Sequence, residues 1–183
     1  RIPTELGILL VLLGIGLVFF FQAMLALIQY RSSAEALQQI VFWSMGSLTR
    51  ANWAANGVLA AVLIIALPIL WALGWRLTAL RLGDARATAM GINTSRLRVV
   101  VLIVVSLVAA TTVAFAGIIG FIGLVGPHIA RMLVGEDQRY FLPASMAAGA
   151  AVMCAAHAVS LMIKPGLAIP IGIVTSLLGV PFF

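Results

Sequence analysis

The chain has 183 residues, of which 63% are hydrophobic and only 9% are charged, and its formal net charge is +6. Because a soluble domain of this length cannot bury so much apolar surface, the composition excludes a soluble protein and predicts an integral membrane protein. Five arginines against one aspartate between residues 76 and 98 supply four of the six charges, which predicts a cytoplasmic loop and not a nucleic-acid partner.

The first half of the chain predicts two membrane-spanning helices. Residues 6–29 hold no charge and exceed the roughly 20 apolar residues that a span requires. Residues 34–48 mix polar with large apolar side chains, which is typical of a helix lying in the membrane interface. Residues 54–75 predict the second span, with a kink at Pro68. The polar insert at about 77–97 then follows as the cytoplasmic loop.

The second half begins with a predicted third span at 99–116. Glycine then recurs every three residues from Gly117 to Gly126. This spacing weakens a helix and permits close backbone approach, so residues 117–127 predict a break between tightly packed helices. We expect Pro127 in the first turn of the next short helix.

The charged turn at 135–139 is expected on the same side of the membrane as the basic insert. Apolar segments at 121–134, 141–163 and 167–183 complete an all-α bundle of about six spans or part-spans. The chain begins and ends close to or inside apolar segments. We therefore expect residues 1–183 to be one transmembrane domain that is part of a longer protein.

Catalytic signatures are missing from the sequence: there is no phosphate-cradling glycine loop and no nucleophile paired with a base. His128 and His157 lie on separate predicted helices with no carboxylate or cysteine beside them, which is weak evidence for a metal site. We expect no enzyme activity, metal or cofactor. His128 is expected to form a hydrogen bond to a neighbouring helix. His157, inside a span, is equally compatible with lining a pathway.

Three motifs resemble those of one permease family. The segment from Gly117 to Arg131 reads GIIGFIGLVGPHIAR, and Gly135, Asp137, Arg139 and Pro143 follow it at matching positions. The chain ends on P-x-G-x-x-T-x-x-x-G-x-P-x-F, and the basic insert contains L-G-x-x-x-A-x-x-x-G from Leu82. Together these patterns resemble the FecCD-like permeases of ATP-binding cassette (ABC) importers for cobalamin, iron siderophores and haem.

The resemblance implies the C-terminal half of a ten-span, multi-pass permease of the bacterial inner (plasma) membrane. It implies a second permease subunit in a homodimer, cytoplasmic ABC ATPase subunits and an extracytoplasmic substrate-binding protein, all around the lipid bilayer. The implied function is ATP-driven import of an iron chelate (siderophore or haem) or cobalamin. The alternative is an ion-coupled secondary transporter, although no acidic residue falls inside a predicted span.

The resemblance also implies that residues 82–93 fold into two short helices that dock on the ATPase. Gly83 and Gly91 would turn the chain sharply, Asp84 would cap a helix, and Arg86 would face the partner. A solvated basic loop held by lipid phosphates is the alternative. The ATPase-coupling candidates are Leu82, Gly83, Asp84, Arg86, Ala87, Met90 and Gly91.

Other candidates fall into three groups. Helix break and packing are expected of Gly117, Gly120, Gly123, Gly126, Pro127, His128 and Arg131. The small residues of 145–151 are also expected to serve packing. The resemblance implies a pathway lined by Phe21, Gln22, Met24 and Thr175. Binding-protein docking is expected of Lys164 and Arg50, where Lys164 would replace a family arginine without its bidentate geometry.

Overall fold

The computed structural model describes residues 4–163 and 169–179, and these residues form helices and connecting loops without a strand. The chain divides into two compact units, Arg1–Phe42 and Trp43–Phe183. The helices are α1 (Thr4–Arg31), α2 (Ala34–Ser44), α3 (Trp53–Leu80), α4 (Asp84–Ala89), α5 (Thr94–Ala116), α6 (Ile122–Val134), α7 (Gln138–Ile163) and α8 (Ile171–Gly179).

Four described helices are long and apolar enough to cross a membrane, and they correspond to α1, α3, α5 and α7. The 13 residues of α6 extend only about 20 Å at 1.5 Å per residue, which is less than the hydrocarbon thickness of about 30 Å. It is therefore a part-span. The expected all-α bundle of spans and part-spans is confirmed.

The first unit contains α1 and most of α2. The hydroxyl oxygen of Ser33 accepts a hydrogen bond from the backbone N–H of Ala36 at 3.3 Å, which satisfies a free donor at the start of α2. No residue of α2 is buried, in keeping with the expected interfacial helix. The pathway candidates Phe21, Gln22 and Met24 all lie on α1 with exposed side chains.

The ends of α3 and α5 correct the predicted length of the basic loop. Helix α3 continues to Leu80, and α5 begins at Thr94 because the side-chain oxygen of Asn93 accepts from the N–H of Arg96 at 3.0 Å. The loop is therefore much shorter than residues 77–97. Arg96, which falls inside the predicted loop, lies in the first turn of α5, and Arg76 and Arg98 lie on α3 and α5.

The predicted break after α5 is also shorter than expected. Only residues 117–121 leave the helical conformation, and Pro127 lies inside α6 instead of in its first turn. The reason is at the start of α6, where Phe121 adopts a left-handed backbone (φ 65°) and turns the chain into the helix at once. A Cβ at Gly126 would lie 3.1 Å from Gly149 Cα on α7. The predicted packing of small residues is thus confirmed at this contact.

Three glycines meet at the end of the second unit away from α4, and we call Gly46, Gly117 and Gly172 the glycine junction. The N–H of Gly172 donates to Met45 O at 3.1 Å, and Ser47 N–H donates to Ala116 O at 2.9 Å. A Cβ at Gly46 would lie 2.7 Å from Ile118 O. Backbone therefore contacts backbone where the α2–α3 loop, the α5–α6 loop and α8 cross.

Candidate functional site

The opposite end of the second unit carries most of its charge, and we call residues 76–98 and 131–139 the charged end. These ranges contain seven arginines and three acidic residues. The loop between α3 and α5, which includes α4, lies here together with the turn between α6 and α7. A surface this basic beside membrane spans is typical of the cytoplasmic side.

Helix α4 is bounded by two glycines with positive φ. Gly83 precedes it with φ 98° and ψ 154°, a backbone conformation that is essentially restricted to glycine. Gly91 follows it with φ 80°. The N–H of Ile92 donates to Ala87 O at 3.1 Å and that of Gly91 donates to Thr88 O at 2.9 Å. These two bonds form a Schellman motif, so the turns expected at Gly83 and Gly91 are both present.

Ala87 fixes α4 to the spans. Its side chain is 0% exposed and packs in a cluster with Ala79 of α3, Ile92 and Leu97 of α5. Leu73, Leu77, Leu80 and Val101 surround this cluster. A displacement of α4 would therefore disturb contacts with both α3 and α5.

The opposite face of α4 is open. Leu82, Ala85, Arg86, Ala89 and Met90 are all exposed. Arg86 forms no ion pair within the part of the chain that the structure describes. A guanidinium on a helix that is held in place is well suited to bind a carboxylate of another protein.

Two expectations for this loop are wrong. Asp84 does not cap α4, because Gly83 occupies the N-cap position and no side chain bonds there. Asp84 instead begins the helix, and its carboxylate accepts from Arg98 Nη2 at 2.7 Å. The second short helix does not form, since Asn93 caps α5 immediately after the α4 turn.

The turn between α6 and α7 binds the end of α3. Arg81 Nη2 lies 2.7 Å from Glu136 Oε1, and Arg131 Nε lies 3.5 Å from the same oxygen. The backbone N–H of Gln138 donates to the hydroxyl oxygen of Thr78 at 3.1 Å. The turn and the basic loop therefore lie on the same side, as expected. The contact of Thr78 was not predicted from the sequence. The Arg81–Glu136 pair could have been predicted, because the two loops carry opposite charges and are expected on the same side of the membrane.

Stability of the charged end should depend weakly on pH through Glu136. The hydrogen bond from Arg81 lowers the pKa of this carboxyl below its ordinary value of 4.5. A lowered folded-state pKa contributes stability that is complete above the ordinary pKa and is lost as the pH falls through the lowered value. Thermal unfolding of the purified protein between pH 7 and pH 3 should show a small extra loss in the wild type. The same scan of Glu136→Gln should lack it, and identical profiles would contradict the assignment.

The remaining candidates are not gathered into one site. His128 is exposed and His157 is half-buried. Neither forms a side-chain hydrogen bond in the ranges 4–163 and 169–179, so the bond expected of His128 is not present. Among those same residues, no cluster of three or more His, Cys, Asp or Glu could hold a metal ion.

Thr175 is buried, with 2% exposure, and its hydroxyl donates to Gly172 O at 3.1 Å. The pathway role expected of Thr175 stays a prediction. Arg50 is exposed and donates to Trp43 O at 3.3 Å. Lys164 lies outside the described residues.

Comparison with known proteins gives consistent matches. A profile described as the FecCD transport family matches residues 4–183. The permease protein of a molybdate import system from Haemophilus influenzae is 37% identical over 96% of this chain and 52% of its own length. The permease protein of a hemin transport system from Yersinia pestis is 37% identical over 95% of this chain and 52% of its own.

A solved structure shows the same fold. It is an ABC transporter assigned to the metal-chelate type, in an inward-facing conformation, and it matches with a TM-score of 0.89 and 37% identity. The match covers 96% of this chain and 57% of that chain. The chain therefore spans about half the length of the relatives that it matches.

Proposed function

The chain belongs to the FecCD transport family, and we propose that it is the C-terminal half of the permease subunit of an ATP-driven importer. In this proposal the permease carries out no covalent chemistry. A separate cytoplasmic ATPase subunit hydrolyses ATP, a second copy of the permease completes the translocation path, and an extracytoplasmic binding protein delivers the substrate.

The observation that supports the proposal is the packing of α4 against the ends of α3 and α5. One face is fixed by the fully buried Ala87, and the other presents Arg86 at the end of the molecule with the most arginines. Force applied to α4 passes directly to the ends of α3 and α5, because the Ala87 cluster joins all three. Such an element is suited to transmit ATPase movement to the spans.

Arg86→Glu tests this docking surface. Because Arg86 contacts no other described charge, the reversal should leave the thermal stability of the permease unchanged. It should weaken co-purification of the ATPase and lower ATP hydrolysis by the assembled complex at least fivefold, in line with the roughly 1–3 kcal/mol typical of coupling between sites.

Arg50→Glu is the matched control, since Arg50 is also exposed but lies near the glycine junction. It should leave ATPase co-purification at the wild-type level. Equal ATPase binding by wild type and Arg86→Glu would exclude Arg86 from the interface.

The proposed cargo is an iron chelate, haem or cobalamin. The relatives named above handle molybdate and hemin, so the proposal extends to metal-containing anions such as molybdate. Direct binding of ferric siderophore, haem, cobalamin and molybdate to the binding protein of the same importer would select among these classes. Measurement of the four under one set of conditions provides the internal comparison.

Energy coupling is tested in vesicles containing the reconstituted importer. Uptake should require ATP and the ATPase subunits and should be unaffected when ion gradients are collapsed. Uptake that follows an ion gradient without the ATPase would support a secondary transporter instead. The absence of acidic residues from the interior of the four long described helices favours the ATP-driven mechanism.

A further inference from the structure

A cavity of about 520 Å³ lies between the ends of α3 and α5. Its wall includes Leu73, Trp75 and Arg76 of α3, Asn93 before α5, and Arg96 and Val100 of α5. Its volume falls within the range of about 300–1,000 Å³ that is typical of small-molecule sites. The proposed docking role of α4 does not use these arginines.

The charge of the cavity is unbalanced. Arg76 and Arg96 are both exposed, and neither forms an ion pair with any residue in the described ranges. Within residues 4–163 and 169–179, no acidic residue lines the cavity. Two guanidinium groups facing one cavity favour an anion with several acceptor oxygens, and arginine matches phosphate geometry especially well.

The remaining walls indicate what the anion is attached to. Leu73 and Val100 belong to two helices that are suited to cross the membrane. The same turn and the next turn of α5 expose Val99, Leu102 and Ile103 by 55%, 67% and 62%. The basic part of the cavity thus continues along α5 into apolar side chains that no other described residue covers. A free phosphate would contact only the basic part of the cavity and not the apolar side chains of α5.

Trp75 lies at the same level and is 41% exposed. Tryptophan is enriched where the hydrocarbon meets the lipid headgroups, because its ring is apolar and its N–H is polar. Its position in the wall indicates that the cavity is at headgroup depth on the basic side of the membrane.

We propose that this cavity binds one anionic phospholipid, with Arg76 and Arg96 contacting its phosphate and its acyl chains lying along the exposed apolar face of α5. Basic pockets between transmembrane helices on the cytoplasmic side are known to accept such headgroups. The lipid would contact Met90 and Gly91, which also line the cavity, and would therefore touch the segment that joins α4 to α5.

Native mass spectrometry of the complete importer, with its ATPase subunits attached, tests the site. Titration with palmitoyl-oleoyl phosphatidylglycerol should show one tightly retained lipid for each permease, and phosphatidylcholine should not. Arg76→Gln and Arg96→Gln should each weaken phosphatidylglycerol retention about fivefold, since one basic residue near a membrane contributes about 1 kcal/mol. Arg76→Lys keeps the charge without the bidentate geometry of arginine, so it should retain more binding than Arg76→Gln but less than the wild type. A wild-type melting temperature for each variant shows that it folds.

Arg139→Gln is the matched control, because it removes the same charge from an exposed arginine of the charged end that lies outside the cavity and outside the proposed ATPase-docking face of α4. It should leave lipid retention unchanged. Equal retention of the two lipids, equal loss in Arg139→Gln, or complete displacement by millimolar inorganic phosphate would overturn the proposal. Lipid binding only after removal of the ATPase would assign the cavity to that protein and would also overturn it. None of these outcomes depends on whether Arg86 binds the ATPase.

Discussion

Replacing Gly117 with alanine is expected to lower the free energy of unfolding by about 2–6 kcal/mol, the sum of a strained backbone and an overpacked contact. Gly117 has φ 78° and ψ −168°, a conformation that residues with a Cβ rarely adopt. The new Cβ would also collide with the Trp43 carbonyl and would lie 2.9 Å from Gly46 Cα. That carbonyl already accepts from Gly46 N–H at 3.2 Å, so it cannot move away without a further loss.

Gly57→Ala is the control for this substitution. Gly57 lies inside α3, and a Cβ there meets nothing within 4 Å. Alanine favours a helix over glycine by about 1 kcal/mol, so this variant should be as stable as the wild type or slightly more so. Thermal denaturation of the detergent-solubilised protein, followed by size-exclusion chromatography, measures both. Equal melting temperatures for the two variants would show that the glycine junction does not require a bare backbone.

The glycine junction also shows which contacts could not be predicted from the sequence. The spacing from Gly117 to Gly126 predicted close packing, and the Gly126–Gly149 contact confirms it. Gly46 carried no such signal, because it is a single glycine in a polar loop. It contacts Gly117, Ile118 and Ile171, and only the three-dimensional crossing of the loops brings these residues together. Contacts between distant segments depend on how the helices pack, which periodicity along the chain does not specify.

Local features were predicted more accurately than contacts between side chains. The long spans, the shared side of the two charged loops and the turns at Gly83 and Gly91 follow from apolar length, charge and glycine chemistry. Asp84 was assigned to the wrong role because Arg98, its ion-pair partner, is one turn into the next helix. A carboxylate near a helix start can either cap that helix or bind a cation. Only the position of the cation decides between the two.

Ala87→Leu tests whether coupling requires the buried contact of α4 with α3 and α5, in addition to the exposed surface of α4. Ala87 is 0% exposed and is enclosed by the Ala79, Ile92 and Leu97 side chains. Three additional carbon atoms cannot fit there without moving α4 away from α3 and α5, and such overpacking costs about 1–3 kcal/mol. If α4 transmits ATPase movement, substrate-stimulated ATP hydrolysis should fall about fivefold or more. The four long spans should remain folded, because the change lies in the loop between two of them.

Ala89→Leu is the matched control, since it adds the same atoms to an exposed position two residues along the same helix. Its melting temperature should equal that of the wild type, whereas that of Ala87→Leu should be lower by several degrees. ATP hydrolysis and substrate uptake, measured together, distinguish a loss of ATPase docking from a loss of movement transmitted to the spans. Hydrolysis that persists without uptake in Ala87→Leu would mean that the ATPase still docks but its movement is no longer transmitted to α3 and α5. Wild-type values of both rates would show that the contact between α4 and the spans is not needed for coupling.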